Sequence, residues 1–320
     1  MTKPVLLVTR QLPEAVAVRA AERFEVRLNQ PDVQWAPEEI VALAQGCDAV
    51  LCFSTDRLNA ATIGALPASV RAIATCSVGY DHVDVAAARG RGIPVANTPE
   101  VLSVATAEIA MLLVLMAARR AGEGERLVRS GQWKGWAPML LLGSQISGKR
   151  LGIFGMGRIG RELAKMARGF GMEIHYRNRT RLAPELEMGA IYHGDDASFL
   201  AACDALALTA PGGAGTAKWL NAERLAMLPR GAIVANAARG SLVDDGALIE
   251  ALRSGQVGFA GLDVYDGEPA VNPGYLGLEN VVLLPHMGSS TVETRAAMGD
   301  LCLDAISQVL AGGEPWNLIK

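Results

Sequence analysis

Short apolar runs recur along this chain and alternate with longer stretches of helical spacing. The runs at 5–9, 24–28, 49–52, 73–76 and 93–96 read as strands, while 14–22, 37–44, 59–63 and 83–89 read as helices. A second series begins near residue 149, with strands expected at 151–154, 173–176, 205–209, 232–236, 259–262 and 281–284. Its helices include 223–227 and 244–254. Such alternation calls for parallel sheets whose crossovers cover both faces. The pattern therefore predicts an α/β chain with two doubly wound parallel-sheet domains.

Two longer helices frame the second series. Asn97-Thr98-Pro99-Glu100 reads as a helix start, a capping polar residue followed by Pro and Glu. The helix it opens is expected to run to about residue 120 and is apolar nearly all round, which implies burial on more than one side. A looser segment with Trp133, Trp136 and Pro138 follows. Near the end, Ser290-Thr291-Val292-Glu293 fits a capping box opening a helix to about residue 310. That helix is expected to return to the first domain, giving domains at 1–98 with 290–320, and at 99–289.

The most informative stretch runs from the strand at 151–154 into the glycine-rich turn after it. Gly155-Met156-Gly157-Arg158-Ile159-Gly160 turns the chain into a helix with apolar residues at Ile159, Leu163, Met166 and Ala167. In such a unit the first glycine permits a tight turn, the second lets backbone approach a pyrophosphate, and the third lets helix pack on strand. The anion then rests on amide N–H groups at the positive end of the helix. Strand before and helix after are the context that separates a dinucleotide motif from an ordinary glycine turn. A cofactor with a free ribose hydroxyl wants an acid at the end of the next strand. Here that place reads Arg177-Asn178-Arg179-Thr180-Arg181, and the first acid afterwards is Glu185. Guanidinium forks bond phosphate in bidentate fashion, so this turn favours NADP(H) over NAD(H). The plainer alternative is a solvated basic turn.

Composition narrows the class without changing it. The 320 residues are 50% hydrophobic and 20% charged with a formal net charge of −3, an ordinary balance for a soluble globular protein. No basic surplus suggests nucleic acid, and the cluster at 177–181 is too local for a duplex footprint. Five cysteines (Cys47, Cys52, Cys76, Cys203, Cys302) are odd in number and lack metal-ligand spacing. They read as buried thiols of a reducing compartment, with no metal site expected. The first apolar run is too short for a signal peptide. Residues 101–118 carry Glu108, so a buried helix is favoured over a membrane span. A cytoplasmic location is the expectation.

Doubly wound sheets bind ligands beyond the carboxyl ends of their strands. Arg239, Glu268 and His286 each follow such an end, in NAARG, DVYDGEP and PHMGSS. Singly they read as a strand-end cation, a turn acid before proline and a loop imidazole. Together a cation holds an anionic substrate, an imidazole moves a proton and a carboxylate orients the imidazole.

With these residues in place the chain resembles the D-isomer-specific 2-hydroxy-acid dehydrogenases. The resemblance spans essentially the whole length: SVGYDHVD (77–84), GIPVANTP (92–99), ATAE (105–108), GMGRIG (155–160), NAARGSLVD (236–244), GLDVYDGEP (261–269) and LLPHMGSSTVETR (283–295). HYRNRTR (175–181) and APGGAGT (210–216) are most similar to the glyoxylate/hydroxypyruvate reductases of that family. The resemblance implies a Rossmann cofactor domain and a smaller, flavodoxin-like substrate domain. It implies that Arg239 grips a 2-oxo acid, that His286 gives a proton to the carbonyl oxygen, and that Glu268 pairs with His286 and raises its pKa. Backbone N–H groups of Val78 and Gly79 would hold the substrate carboxylate. Asp263 would bond the nicotinamide carboxamide, and Thr106 would approach the phosphates. The remaining implied cofactor contacts are Gly155, Gly157, Arg158, Ile159, Gly160, Arg177, Asn178, Arg179, Pro211, Thr216, Ala237 and Gly288.

The activity so implied is NADPH-dependent reduction of a small 2-oxo acid, glyoxylate to glycolate and hydroxypyruvate to D-glycerate. Glu268 argues against the formate dehydrogenase branch, which lacks this acid. Two rivals stand: the same chemistry on a different or bulkier 2-oxo acid, and a dinucleotide-sensing interaction protein without catalysis. The family pattern also implies a homodimer through 101–118 and the segment after it. Trp136 either roofs the substrate or lies in that subunit contact, and His82 has no assigned role.

Overall fold

The computed structural model describes residues 2–320. The chain divides into two units, one comprising residues up to Leu102 with Ser289–Lys320, the other Ser103–Gly288. Each is built on its own parallel sheet.

The first unit holds β1 (Val5–Val8), β2 (Glu25–Leu28), β3 (Ala49–Cys52), β4 (Ala72–Thr75) and β5 (Val95–Ala96) in the order β2-β1-β3-β4-β5. All four pairings are parallel. This is the flavodoxin order, which reverses between β1 and β3. Every residue of β3 and β4 is buried, as strands covered on both faces must be. The edge strand β2 alternates exposed and half-buried positions instead. The helix Val292–Leu310 packs here: Arg19 forks onto Asp300 at 2.6 and 2.8 Å, and Arg23 pairs with Asp304. Beyond it, Leu318 bridges Ala96, and Asn317 Nδ2 donates to the Asn97 carbonyl at 2.7 Å.

The second unit holds β6 (Arg150–Phe154), β7 (Glu173–Arg177), β8 (Ile191–Tyr192), β9 (Ala205–Leu208), β10 (Ala232–Asn236), β11 (Val257–Leu262) and β12 (Val281–Leu283). Their order is β12-β11-β10-β9-β6-β7-β8, all parallel. Counted within the unit this is the Rossmann order with a seventh strand, and it reverses between β6 and β9. Both faces carry apolar layers. One gathers Phe154, Phe199, Leu206, Leu208, Val234 and Leu248; the other gathers Leu113, Val114, Leu151, Ile153, Leu163 and Tyr176. The helix Ser103–Ala118 lies on the second of these. It sits so close to the sheet that a Cβ on Gly261 of β11 would meet Leu113 Cβ and O at 2.9 Å.

The expected α/β class with two doubly wound sheets is what the chain forms, but several local expectations are corrected. Residues 97–102 are not helical, and the helix begins at Ser103. Glu100 takes a positive φ of 74°, and the Thr98 N–H donates to the Ser77 carbonyl at 3.0 Å, which ties this segment to the first sheet. The unit boundaries accordingly fall at 102 and 289 rather than 98 and 290. The helix ends at Ala118, Arg120 turns left-handed (φ 52°), and a further helix Ala121–Arg129 occupies the start of the segment read as loose. Arg120 braces that start with two 2.8 Å bonds to Glu123. The last helix is capped by Thr291, which accepts the Thr294 N–H at 3.0 Å, one residue after the Ser290 box. Short elements at Pro184–Glu187, Ile191–Tyr192 and Asp196–Ala201 escaped the pattern because they are too short to show a period.

Gly261 supplies a direct test of this packing. Gly261→Val adds three carbons where none fits, and overpacking of this kind typically costs about 1–3 kcal/mol. The urea midpoint should fall by the corresponding amount; an unchanged midpoint would mean the helix does not rest on β11.

Candidate active site

The glycine loop follows β6 directly, at the point where the second sheet reverses its order. Its three glycines meet three different constraints. Gly155 has φ 98°, and a Cβ there would lie 2.4 Å from the Ala210 backbone. Gly160 would bring a Cβ within 2.7 Å of the Gly155 carbonyl, so it sets the distance between helix and strand. Gly157 is the opposite case: a Cβ there would meet nothing within 4 Å. Its lack of a side chain serves no internal contact, which fits a surface kept bare for a ligand. Gly157 flanks the start of the helix Arg158–Gly169, and no side chain caps it. The residues present therefore fit a dinucleotide pyrophosphate.

The turn after β7 is stapled to this loop. The Gly155 N–H donates to the Arg177 carbonyl at 3.0 Å, and Asn178 Oδ1 accepts the Met156 N–H at 2.7 Å. The three arginines differ in what they touch. Arg181 forks onto Glu187 at 2.8 and 3.1 Å, and Glu187 also accepts the Tyr176 hydroxyl at 2.5 Å. Arg177 Nε donates to Asp196 at 3.2 Å, while its Nη1 donates to the Asn178 carbonyl. Arg179 is exposed and makes no hydrogen bond or ion pair among the described residues.

Arg239, Glu268 and His286 follow β10, β11 and β12, three adjacent strands. His286 Nδ1 lies 2.6 Å from Glu268 Oε2, and the other carboxylate oxygen accepts the Tyr265 N–H at 2.8 Å. An ionised carboxylate only accepts, so Nδ1 carries the proton and Nε2 is the ring nitrogen left for a substrate. His286 remains 41% exposed, within reach of a solute. Burial pushes the Glu268 carboxyl up, yet the hydrogen bonds from His286 and Tyr265 and the charges of His286 and Arg239 bring it below the usual carboxylate range. Arg239 is thus close enough to act on Glu268, and the three residues form one electrostatic group.

The supporting contacts explain how three loops hold this arrangement. Asn236 Nδ2 donates to the Arg239 carbonyl at 2.9 Å, and its Oδ1 accepts the Ala238 N–H at 3.0 Å. A Cβ on Gly240 would fall 1.8 Å from the Tyr265 carbonyl carbon, so only glycine lets the β10 loop lie on the β11 loop. The Tyr265 hydroxyl shares its one proton between the carbonyls of Leu262 and Leu284, at 3.1 and 2.8 Å. His286 sits at φ 54°, with its N–H on the Asp263 carbonyl at 2.8 Å.

Asp263 itself is fully buried, and its two oxygens accept the N–H groups of Met287 and Gly288 at 2.7 and 2.8 Å. Burial raises its carboxyl above the usual range against the pull of those two bonds. Thr106 packs beside Gly288, whose Cβ would lie 3.4 Å from Thr106 Cγ2. In the loop after β9, Thr216 Oγ1 donates to the Pro211 carbonyl at 2.8 Å. Ala237 is buried.

Val78 and Gly79 lie in the first unit, just past β4. Their carbonyls accept Asn97 Nδ2 at 2.8 Å and Ser77 Oγ at 2.7 Å, while neither N–H is taken up among the described residues. His82 Nε2 lies 2.8 Å from the Thr75 hydroxyl and so belongs to the same strand end. Trp136 is 83% exposed in the single chain. The pattern of motifs passed over Asn236, Gly240 and Tyr265. NAARG held a usable sign, because asparagine three residues before an arginine–glycine pair is a turn-bonding residue; Tyr265 gave none.

A Rossmann sheet with an open glycine loop, beside a histidine–carboxylate pair and an arginine, defines a dinucleotide-dependent α/β enzyme. Residues 111–288 match the family model described as D-isomer specific 2-hydroxyacid dehydrogenase, NAD binding domain. A glycerate dehydrogenase of Hyphomicrobium methylovorum is 40% identical over 316 residues, 98% of each chain. A solved Polaromonas protein, described as a candidate D-isomer specific 2-hydroxyacid dehydrogenase, superposes with a TM-score of 0.95 at 48% identity and full coverage of both chains. The NADPH-dependent glyoxylate/hydroxypyruvate reductase of Sinorhizobium meliloti, solved with NADP and malonate, gives 0.88 at 34% identity, covering 99% of this chain and 97% of that one. The chain belongs to the D-isomer-specific 2-hydroxyacid dehydrogenase family, and its second unit binds a nicotinamide dinucleotide.

Two outcomes test the site. Gly157→Ala should change stability by less than about 0.5 kcal/mol while weakening dinucleotide binding, whereas Gly155→Ala should lose both. Calorimetric titration beside thermal melts separates them, and equal binding loss without any stability difference would remove the distinction. Glu268 makes a pH prediction. Its folded carboxyl lies below the unfolded value, so its contribution is complete above the usual carboxylate range and vanishes as pH falls through the folded value. The stability gap between the native protein and Glu268→Gln should therefore be widest near neutral pH and close in acid. A gap independent of pH would show that the carboxylate is not held by His286.

Proposed function

We propose that the protein is an NADPH-dependent reductase of small 2-oxo acids, converting glyoxylate to glycolate and hydroxypyruvate to D-glycerate. The observation that carries the chemistry is the 2.6 Å contact between Glu268 and His286, with the Arg239 charge acting on the same carboxylate. Arg239 takes the carboxylate and keto oxygen of the substrate as a charge-assisted fork. His286 gives the proton on Nε2 to the keto oxygen, and Glu268 holds the ring in orientation while it does so. The free N–H groups of Val78 and Gly79 are proposed as further donors to the substrate carboxylate. The bound nicotinamide supplies the hydride. Thr106, Gly155, Gly157, Arg158, Ile159, Gly160, Asn178, Pro211, Thr216, Ala237, Asp263 and Gly288 are proposed to hold the cofactor.

Preference for NADPH rests on the turn after β7, where no carboxylate follows the strand and Arg177, Asn178 and Arg179 stand instead. Asp263 already accepts two backbone N–H groups, so any bond to the carboxamide uses its remaining lone pairs. The substrate reading draws on the names of the Hyphomicrobium and Sinorhizobium relatives. A homodimer is proposed through Ser103–Ala118 and the stretch after it, where Trp133, Trp136, Met139 and Leu142 are exposed in the single chain. No helix among the described residues is long and apolar enough to cross a membrane. All five cysteines are free and buried, which supports a reducing, cytoplasmic setting.

The test is turnover of both nicotinamides with a panel of 2-oxo acids. Glyoxylate and hydroxypyruvate should be reduced faster with NADPH than with NADH; faster turnover with NADH would overturn the cofactor assignment, and reduction confined to bulky 2-oxo acids the substrate assignment. His286→Ala should slow reduction by about 10²–10⁴, the usual loss with a general acid. Near-native turnover in that variant would take His286 out of the mechanism.

A further inference from the structure

Asp196 is the first residue of the helix Asp196–Ala201, fixed there by Asp195, whose side chain accepts the Ser198 N–H at 2.8 Å. Its two oxygens reach donors on three separate elements. Oδ1 accepts Arg177 Nε at 3.2 Å; Oδ2 accepts Arg224 Nε at 2.7 Å and Trp219 Nε1 at 3.2 Å. Trp219 stacks on Phe154 with ring centroids 3.6 Å apart, and Phe154 is the residue before the glycine loop. One carboxylate thus links the end of β7 to the end of β6.

The consequence for Arg177 is orientation. Asp196 takes its Nε and the Asn178 carbonyl takes its Nη1, which leaves the Nη2 edge as the part of the guanidinium open to a ligand. A planar fork held at two of its three nitrogens is set before any phosphate arrives, so little freedom remains to be lost on binding. Held by one acid and nothing else, Arg177 would belong to a pair with no net charge to offer a phosphate. Arg224 changes that balance, because two guanidinium charges face a single carboxylate and the node stays positive.

We propose that Asp196 is a positioning residue for the NADPH preference: it clamps Arg177 so that one terminal edge meets the 2′-phosphate, with Arg224 keeping the node attractive to that anion. This rests on the NADPH reading above. The opposite effect is equally definite in sign, since a carboxylate acting chiefly by its charge would repel the phosphate.

Calorimetric titration of NADP⁺ and NAD⁺ into the full-length protein, without 2-oxo acid, decides between them. In the native protein NADP⁺ should bind more tightly than NAD⁺; the reverse order would sink the NADPH reading itself and this proposal with it. With the native order intact, Asp196→Ala should weaken NADP⁺ by about fivefold or more while NAD⁺ moves less than about twofold, and Asp196→Glu should recover most of the loss. Raising the salt concentration should narrow the NADP⁺ difference between native and variant. Equal weakening of both nucleotides, no change in either, or tighter NADP⁺ binding would overturn the role. Should Asp196→Ala fail to fold, Arg177→Lys decides alone: it preserves the charge but has no fork to clamp, so it should lose NADP⁺ selectivity. Full selectivity in the lysine variant would overturn the proposal.

Discussion

The contact between His286 Nδ1 and Glu268 Oε2 determines which ring nitrogen is committed to the protein, and the bonds around Tyr265 and Asp263 keep that contact in place. A histidine side chain has two nitrogens of nearly equal basicity, and only a fixed neighbour makes one the donor toward protein and the other the one presented to substrate. Here the neighbour is itself anchored, since Glu268 Oε1 accepts the Tyr265 N–H and Tyr265 bonds the carbonyls that end β11 and follow β12. His286 in turn needs a left-handed backbone, and the bonds from 286, 287 and 288 to Asp263 hold it there. An acid buried as Asp263 is carries a desolvation cost, and its position under the histidine loop shows where that cost is offset.

A second level of organisation concerns charge at the turn after β7. Three arginines within five residues look equivalent as a string, yet each meets a different surrounding. Glu187 occupies Arg181, Arg177 shares Asp196 with Arg224, and Arg179 is exposed. Partners rather than burial separate them: Arg181 is exposed, yet both arms of its fork are taken by a carboxylate, while Arg179 has no such partner among the described residues.

Family membership and site geometry rest on different grounds. Similarity over nearly the full length places the chain among the 2-hydroxyacid dehydrogenases. The proposed chemistry rests on placement within the chain: an arginine, a carboxylate and an imidazole on three neighbouring strand ends of a sheet that reverses its order at the glycine loop. Parallel sheets concentrate their ligand-facing loops at one edge because every strand enters from the same side, so residues far apart in sequence arrive together.

Pattern by itself determined the class of fold, because strands buried on both faces leave short continuous apolar runs and the crossovers between them an apolar spacing of three to four residues. The glycine loop was equally legible as a motif, although the Ala210 backbone that Gly155 must clear comes from elsewhere in the chain and Gly157 answers no internal steric demand. Elements too short to repeat, such as Pro184–Glu187, were hidden, and the helix start was misread because Glu100 adopts a backbone that its residue type does not announce. Only the tertiary structure decided which arginine is ion-paired, that Gly240 must yield space to Tyr265, and that Asp196 bonds the end of β7 directly and reaches the end of β6 through Trp219. Arg177 reaches Asp196 across 19 residues and Arg224 reaches it across 28, and no local pattern encodes the closeness that folding creates.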